Sequence, residues 1–117
     1  GSRLLACAEL APLDPDVAEI RSLVVDRGAR GTGLGRTLVD ALTARAADAG
    51  IATVCAFAHA PAFFTGLGFT VVPHDHVPAK IAADCVRCPR YGSGAGQCGQ
   101  FAVVRQTGAD RAEENQR

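Results

Sequence analysis

Asp26-Arg27-Gly28-Ala29-Arg30-Gly31-Thr32-Gly33-Leu34-Gly35-Arg36 is the stretch on which the fold turns. It places four glycines within eight residues, between an apolar run and a helical pattern. A helix start exposes unpaired N–H groups and the positive end of a dipole. Glycines ahead of it let the backbone curl around an anion without side-chain clashes. A tight turn needs fewer glycines, and Arg27, Arg30 and Arg36 add counter-charge. The stretch therefore reads as a phosphate cradle. It is not a P-loop, because Gly28-x4-Gly33 is followed by Leu34 and not by lysine. Nor is it a dinucleotide fingerprint, because the next strand ends Ala56-Phe57-Ala58-His59, with no acid to hold a ribose.

Outward from this loop the pattern is regular. Upstream, Val17 to Val25 alternates, with Glu19, Arg21, Leu23 and Val25 on one face and Ile20, Ser22 and Val24 on the other. Before it, Arg3 to Leu10 reads as a strand and Ala11 to Asp16 as a turn, so the two strands form a hairpin. Downstream, Leu34, Leu38, Val39, Leu42 and Ala46 make an apolar stripe, predicting a helix from Gly33 to Ala49 that ends at Gly50. Ile51 to Phe57 is a buried strand, Ala60 to Leu67 a short helix stopped by Gly68, and Phe69 to Val72 another strand. Pro78 to Asp84 has room for a turn or two of helix, Cys85 to Gly99 is irregular, and Phe101 to Val104 is a last strand. The order β-β-α-β-α-β-(α)-β gives an α/β or α+β fold with a mixed sheet. Residues 1–105 form one domain and residues 106–117 a polar, disordered tail.

Composition narrows the function classes. The chain has 117 residues, one domain by length, with 48% hydrophobic and 21% charged residues. Twelve basic and twelve acidic side chains cancel, which argues against nucleic acid or an anionic membrane surface as partner. No apolar run reaches the roughly 20 residues of a membrane span, and no signal peptide is visible. Five cysteines without a secretory signal favour a reducing cytoplasm. Cys7 and Cys55 lie in apolar runs and read as small core hydrophobes.

Arg30-Gly31-Thr32-Gly33-Leu34-Gly35 resembles the R/Q-x-x-G-x-G/A acetyl-CoA signature of the GNAT N-acetyltransferases. Glu19-Ile20-x-x-Leu23-x-Val25 looks like the strand before that loop, and Phe63-Phe64-Thr65-Gly66-Leu67-Gly68-Phe69 like the family's helix-to-strand junction. Within the family, Val77-Pro78-x-Lys80-Ile81-x-x-Asp84-Cys85-x-x-Cys88-Pro89 resembles a stretch of the short, single-domain amino-acid N-acetyltransferases, the N-acetylglutamate synthases. Val77 stands where that group has leucine, and Ala82 or Ala83 near its tryptophan. The resemblance covers residues 3 to about 105. It implies the GNAT acyl-CoA N-acyltransferase fold, here lacking the N-terminal strand-helix-helix-strand unit whose helices wall the acceptor pocket. Open sheet edges left by that unit suggest a homodimer.

The implied reaction moves an acetyl group from acetyl-CoA to an amine, with glutamate the first-choice acceptor. Glu19 is the candidate general base, the alternative being a simple ion pair with Arg21 on the strand face. Arg21 and Lys80 are the candidate cations for a carboxylate acceptor. The resemblance assigns acetyl-CoA to the backbone of Leu23 and Val25 for the pantetheine arm, and to Arg30, Gly31, Thr32, Gly33, Leu34, Gly35 and Arg36 for the pyrophosphate. Many family members use a tyrosine to protonate the leaving thiolate. Here that place holds Phe63 or Phe64, and the only tyrosine, Tyr91, lies elsewhere, so water is the expected proton source. His59 lines the pantetheine channel or merely fills a loop. Cys85, Cys88 and Cys98, with His74 or His76, form an incomplete candidate set for zinc; buried thiols or a redox pair are the alternatives. The rival functions are acetylation of another small amine and a non-catalytic acyl-CoA-binding module.

Overall fold

The computed structural model describes residues 4–83 and 99–109. Five strands form one mixed sheet in the order β1-β2-β3-β5-β4. They are β1 (Ala6–Asp14), β2 (Val17–Val25), β3 (Thr53–Ala58), β4 (Thr70–Val72) and β5 (Phe101–Gln106). The helices are α1 (Leu34–Asp48), α2 (Ala62–Thr65) and α3 (Pro78–Ala83). β2 and β3 run parallel with α1 as the crossover, and the other neighbours are antiparallel.

The hairpin is longer and tighter than the sequence suggests. β1 continues through Pro12 to Asp14, because a residue without an N–H is tolerated on an edge strand. The turn is only Pro15-Asp16, closed by Asp14 Oδ1, which accepts from the amides of Asp16 at 2.7 Å and Val17 at 2.9 Å. Cys7 is exposed, not a core residue. It alternates with Ala6 and Ala8, which turn inward, and so faces out from an edge strand. Cys55 is buried as expected.

The core lies between the sheet and α1. Ala18, Ile20, Val54, Ala56 and Val103 from the sheet meet Val39, Leu42 and Ala46 from α1, and Phe64 and Phe69 close one end. Phe64 and Phe69 meet edge to face with centroids 5.1 Å apart. α1 starts and stops one residue inside the expected bounds, and Gly50 takes φ +78 just beyond its end. The last strand runs two residues beyond the expected Val104. Thr107 follows it, its amide donating to Ala52 O at 2.9 Å and its hydroxyl to Ile51 O at 2.7 Å.

The largest departure from simple alternation is at Ser22, which has φ +56. Glu9 pairs with Arg21, but Cys7 pairs with Val24, so Ser22 and Leu23 together oppose Ala8. This is a β-bulge, and one extra residue reverses the facing of everything after it. Leu23 consequently packs on the core with Ile20. Val25 points at the first turn of α1. The expectation that Glu19, Arg21, Leu23 and Val25 share a face is therefore wrong: the first two lie on the face away from α1, the last two on the face toward it.

Candidate active site

β2 and β3 pair only over Val17–Thr53, Ala18–Val54 and Glu19–Cys55. Beyond Glu19 they part, and β3 continues against β5 alone. A fork opens in the middle of the sheet, with the β2 edge from Ile20 to Val25 unpaired on the β3 side. Backbone N–H and C=O groups on such an edge seek a partner. Two cavities occupy the fork and share Leu23 as a wall.

The first cavity, about 620 Å³, is lined by Leu23, Val24 and Val25 from β2, by Ala29 to Arg36 without Thr32, and by Phe63. Gly31 and Gly33 have φ +82 and +88, a backbone region that side chains resist. Gly33 is the cap residue of α1, and no side chain bonds its free amides. A 15-residue helix thus presents its first-turn N–H groups to the cavity. Arg27, Arg30 and Arg36 are exposed around it, and Arg30 Nε donates to Val25 O at 3.3 Å. The Thr32 hydroxyl instead turns back to Ala29 O. Gly35 is needed for closeness: a Cβ there would lie 3.0 Å from Phe63 Cζ. The cradle accordingly holds eight of the nine residues expected to line an acetyl-CoA site.

The second cavity, about 560 Å³, is lined by Glu19 to Leu23, Ala56 to Ala58, Phe64, Lys80 and Gln100. Glu19 lies at the crotch of the fork and is 5% exposed. Arg21 Nε donates to its Oε1 at 2.8 Å, and Lys80 Nζ reaches its two oxygens at 3.1 and 3.2 Å. A buried carboxylate demands such partners. Lys80 comes from α3, beyond the sheet face that Glu19 occupies, and its Nζ lies 5.2 Å from the Phe57 ring centroid. Residues 19, 21 and 80 thus come together in one ion-paired cluster, which includes the Glu19–Arg21 pair named as the alternative reading.

Beneath Glu19, burial first and then the Glu19 charge push the Cys55 thiol up to about 12. At neutral pH it is an un-ionised thiol, so it is no nucleophile. Phe64 is core and Phe63 is cleft wall, 43% exposed, and neither side chain has an ionisable proton to donate. His59 lines neither cavity; it is exposed, with Nδ1 2.8 Å from Gly99 O. Cys85, Cys88 and Cys98 lie outside the described residues. Among the described residues no three His, Cys, Asp or Glu side chains cluster to hold a metal ion, and His74 Nε2 lies 2.8 Å from Gln100 O. Among them too, no helix is long and apolar enough to cross a membrane.

Residues 1–69, more than half the chain, match the family model described as acetyltransferase (GNAT) family. The chain belongs to the GNAT family. Among the family's curated members it is 30% identical over 103 residues to an uncharacterized N-acetyltransferase of Chlorobaculum tepidum, covering 88% of this chain and 64% of that protein. It is also 30% identical over 103 residues to the amino-acid acetyltransferase of Mycobacterium tuberculosis, covering 88% of this chain and 58% of that protein. The chain therefore spans about three-fifths of the length of these relatives. In three dimensions it resembles the N-acetylglutamate synthase of Neisseria gonorrhoeae, solved with coenzyme A and N-acetyl-glutamate. The TM-score is 0.72 at 24% identity, over 92% of this chain and 23% of that one. A Mycobacterium tuberculosis protein solved with CoA gives 0.69 at 22% identity, over 89% and 68%. These likenesses establish the GNAT fold expected from the sequence.

The sequence reading missed the Ser22 bulge and the parts of Phe57 and Gln100. The bulge does leave a trace. Inward apolar residues fall at 18 and 20, then at 23 and 25, so their parity changes across Ser22.

Proposed function

We propose that the chain is the acetyl-CoA-binding and catalytic part of an N-acetyltransferase that acetylates the α-amine of an amino acid, L-glutamate first among them. The observation that carries this is the juxtaposition in one fork of an uncapped, glycine-built helix start and a buried Glu19 held by two cations. The first suits a pyrophosphate, and the unpaired β2 edge suits the amide-bearing arm of the same cosubstrate. Its thioester would then reach the second cavity past Leu23.

There, Arg21 and Lys80 bind the acceptor's carboxylates. Glu19 takes a proton from the acceptor ammonium through water, so the amine is neutral when it attacks. The new N–C bond forms as the C–S bond breaks; the attacking nitrogen gives its second proton to water, and water returns one to the leaving thiolate, since Phe63 and Phe64 offer none. The amino-acid acetyltransferase name of one relative supports this acceptor class, and acetylglutamate formation would place the reaction in arginine biosynthesis. The free thiols of Cys7 and Cys55 suit a reducing, cytoplasmic setting.

The test is mass detection of acetylated products from acetyl-CoA and a panel of amino acids and simple amines. Acetylglutamate as the dominant product is expected. A simple amine acetylated in preference would refute the acceptor assignment, and no product with any amine would refute the chain's catalytic role.

A further inference from the structure

The same carboxylate that serves as base holds the cations that must hold the substrate. Glu19 engages both Arg21 Nε and Lys80 Nζ within 3.2 Å. Its side chain is 6% exposed, whereas those of Arg21 and Lys80 are 33% and 16% exposed and line the open cavity. A carboxylate entering that cavity meets two cations already engaged by an internal anion. We infer that Glu19 is an internal stand-in for the acceptor's carboxylate, and that acceptor binding exchanges one carboxylate for the other on Lys80. This rests on the amino-acid acceptor proposed above and adds how that site is regulated.

The exchange does two things at once. It releases both Glu19 oxygens from the Lys80 Nζ hydrogen bonds, leaving them to face the acceptor's amine. It also makes that release depend on an acceptor that brings its own anion. An amine without a carboxylate leaves both Glu19 oxygens held by Lys80. Glu19, Arg21 and Lys80 are the only charged side chains lining the cavity among the described residues, and together they carry one net positive charge. An acidic amino acid, net −1, neutralises it, whereas a neutral amino acid or a simple amine leaves positive charge uncompensated in a half-closed space. Charge balance thus selects a dicarboxylic amino acid.

Glutarate is the probe, because it carries the two carboxylates and no amine for Glu19 to receive. Calorimetric titration with CoA-saturated protein compares wild type with Glu19→Gln, Glu19→Asp and Lys80→Met. Removing the competing internal charge should tighten glutarate binding about tenfold in Glu19→Gln. The shorter Glu19→Asp, which keeps the buried charge if the glutamine variant fails to fold, should lie between it and wild type. Lys80→Met should bind most weakly. Equal or weaker glutarate binding in both Glu19 variants overturns the exchange, even if acetylglutamate is made. The expected order without any acetylated product supports the exchange and refutes the reaction instead.

Discussion

Replacing Gly35 by alanine separates stability from cofactor binding. Gly35 sits in the first turn of α1 with ordinary helical φ, so alanine meets no backbone strain there. Helix propensity favours alanine by up to about 1 kcal/mol in a helix interior, and by less in the first turn. Against this, the new Cβ would lie 3.0 Å from Phe63 Cζ, 3.2 Å from Cε1 and 3.6 Å from Val25 Cγ2. In a closed core such overpacking costs about 1–3 kcal/mol. Phe63, however, keeps 43% of its surface exposed, so its ring can yield by a few tenths of an ångström. The two effects offset, and the unfolding free energy should stay within about 0.5 kcal/mol of wild type. The displaced ring narrows the cavity it shares with Leu23, Val25 and Gly33. CoA affinity should fall about fivefold, which is about 1 kcal/mol. Urea unfolding followed by circular dichroism reads the first quantity, and calorimetric CoA titration the second. The double variant Gly35→Ala/Phe63→Ala should bind CoA as tightly as Phe63→Ala alone, because without the ring the new Cβ has nothing to displace. A stability loss above about 2 kcal/mol with unchanged CoA affinity would refute the reasoning.

Three further outcomes follow from the site. Gly33→Ala forces a side chain into φ +88, costing about 1–2 kcal/mol of stability; it should also weaken CoA binding by misaiming the first-turn amides, as melting and titration would record. Glu19→Gln should lower kcat by about a hundredfold with acetyl-CoA KM nearly unchanged, the mark of a lost proton acceptor in steady-state kinetics. The Cys55 thiol, normally near 9.0, ionises in the folded protein only at about 12. The unfolded chain therefore releases that proton first. The stabilising contribution is complete below about pH 9 and is lost as pH rises toward 12; urea midpoints from about pH 8 to about pH 10.5 should fall more steeply for wild type than for Cys55→Ala.

Local chemistry made most of the architecture legible. The glycine run, the apolar stripe through Val39, Leu42 and Ala46, and the near-continuous apolar run over Ile51–Phe57 each carry a local signal; the first two became the expected elements, and the third became β3, which starts two residues later and ends one later. The cradle was legible for the same reason, since its residues are contiguous. The acceptor side was not. Glu19 and Lys80 are 61 residues apart, and no spacing rule joins them; only the likeness around Val77 to Pro89 singled out Lys80. The Ser22 bulge escaped because period-two reasoning assumes that nothing interrupts the pleat. Cys7 was misplaced because an apolar neighbourhood in sequence does not reveal that its strand lies at the sheet edge. Of the two readings of His59, channel residue or loop filler, the second fits: it follows β3, lies 2.8 Å from the Gly99 carbonyl and lines neither cavity.

At the centre of this account are two adjoining cavities in the β2–β3 fork acting as one two-substrate site. Backbone and side-chain NMR titration, acetyl-CoA analogue first and L-glutamate second, tests that directly. The account predicts that the non-transferable analogue moves the amides of Leu23, Val25 and Gly31 to Arg36. L-glutamate should then move Glu19, Arg21 and the Lys80 ammonium while the first set stays saturated. Shifts confined to residues outside the fork, or glutamate displacing the analogue from the glycine cradle, would contradict it.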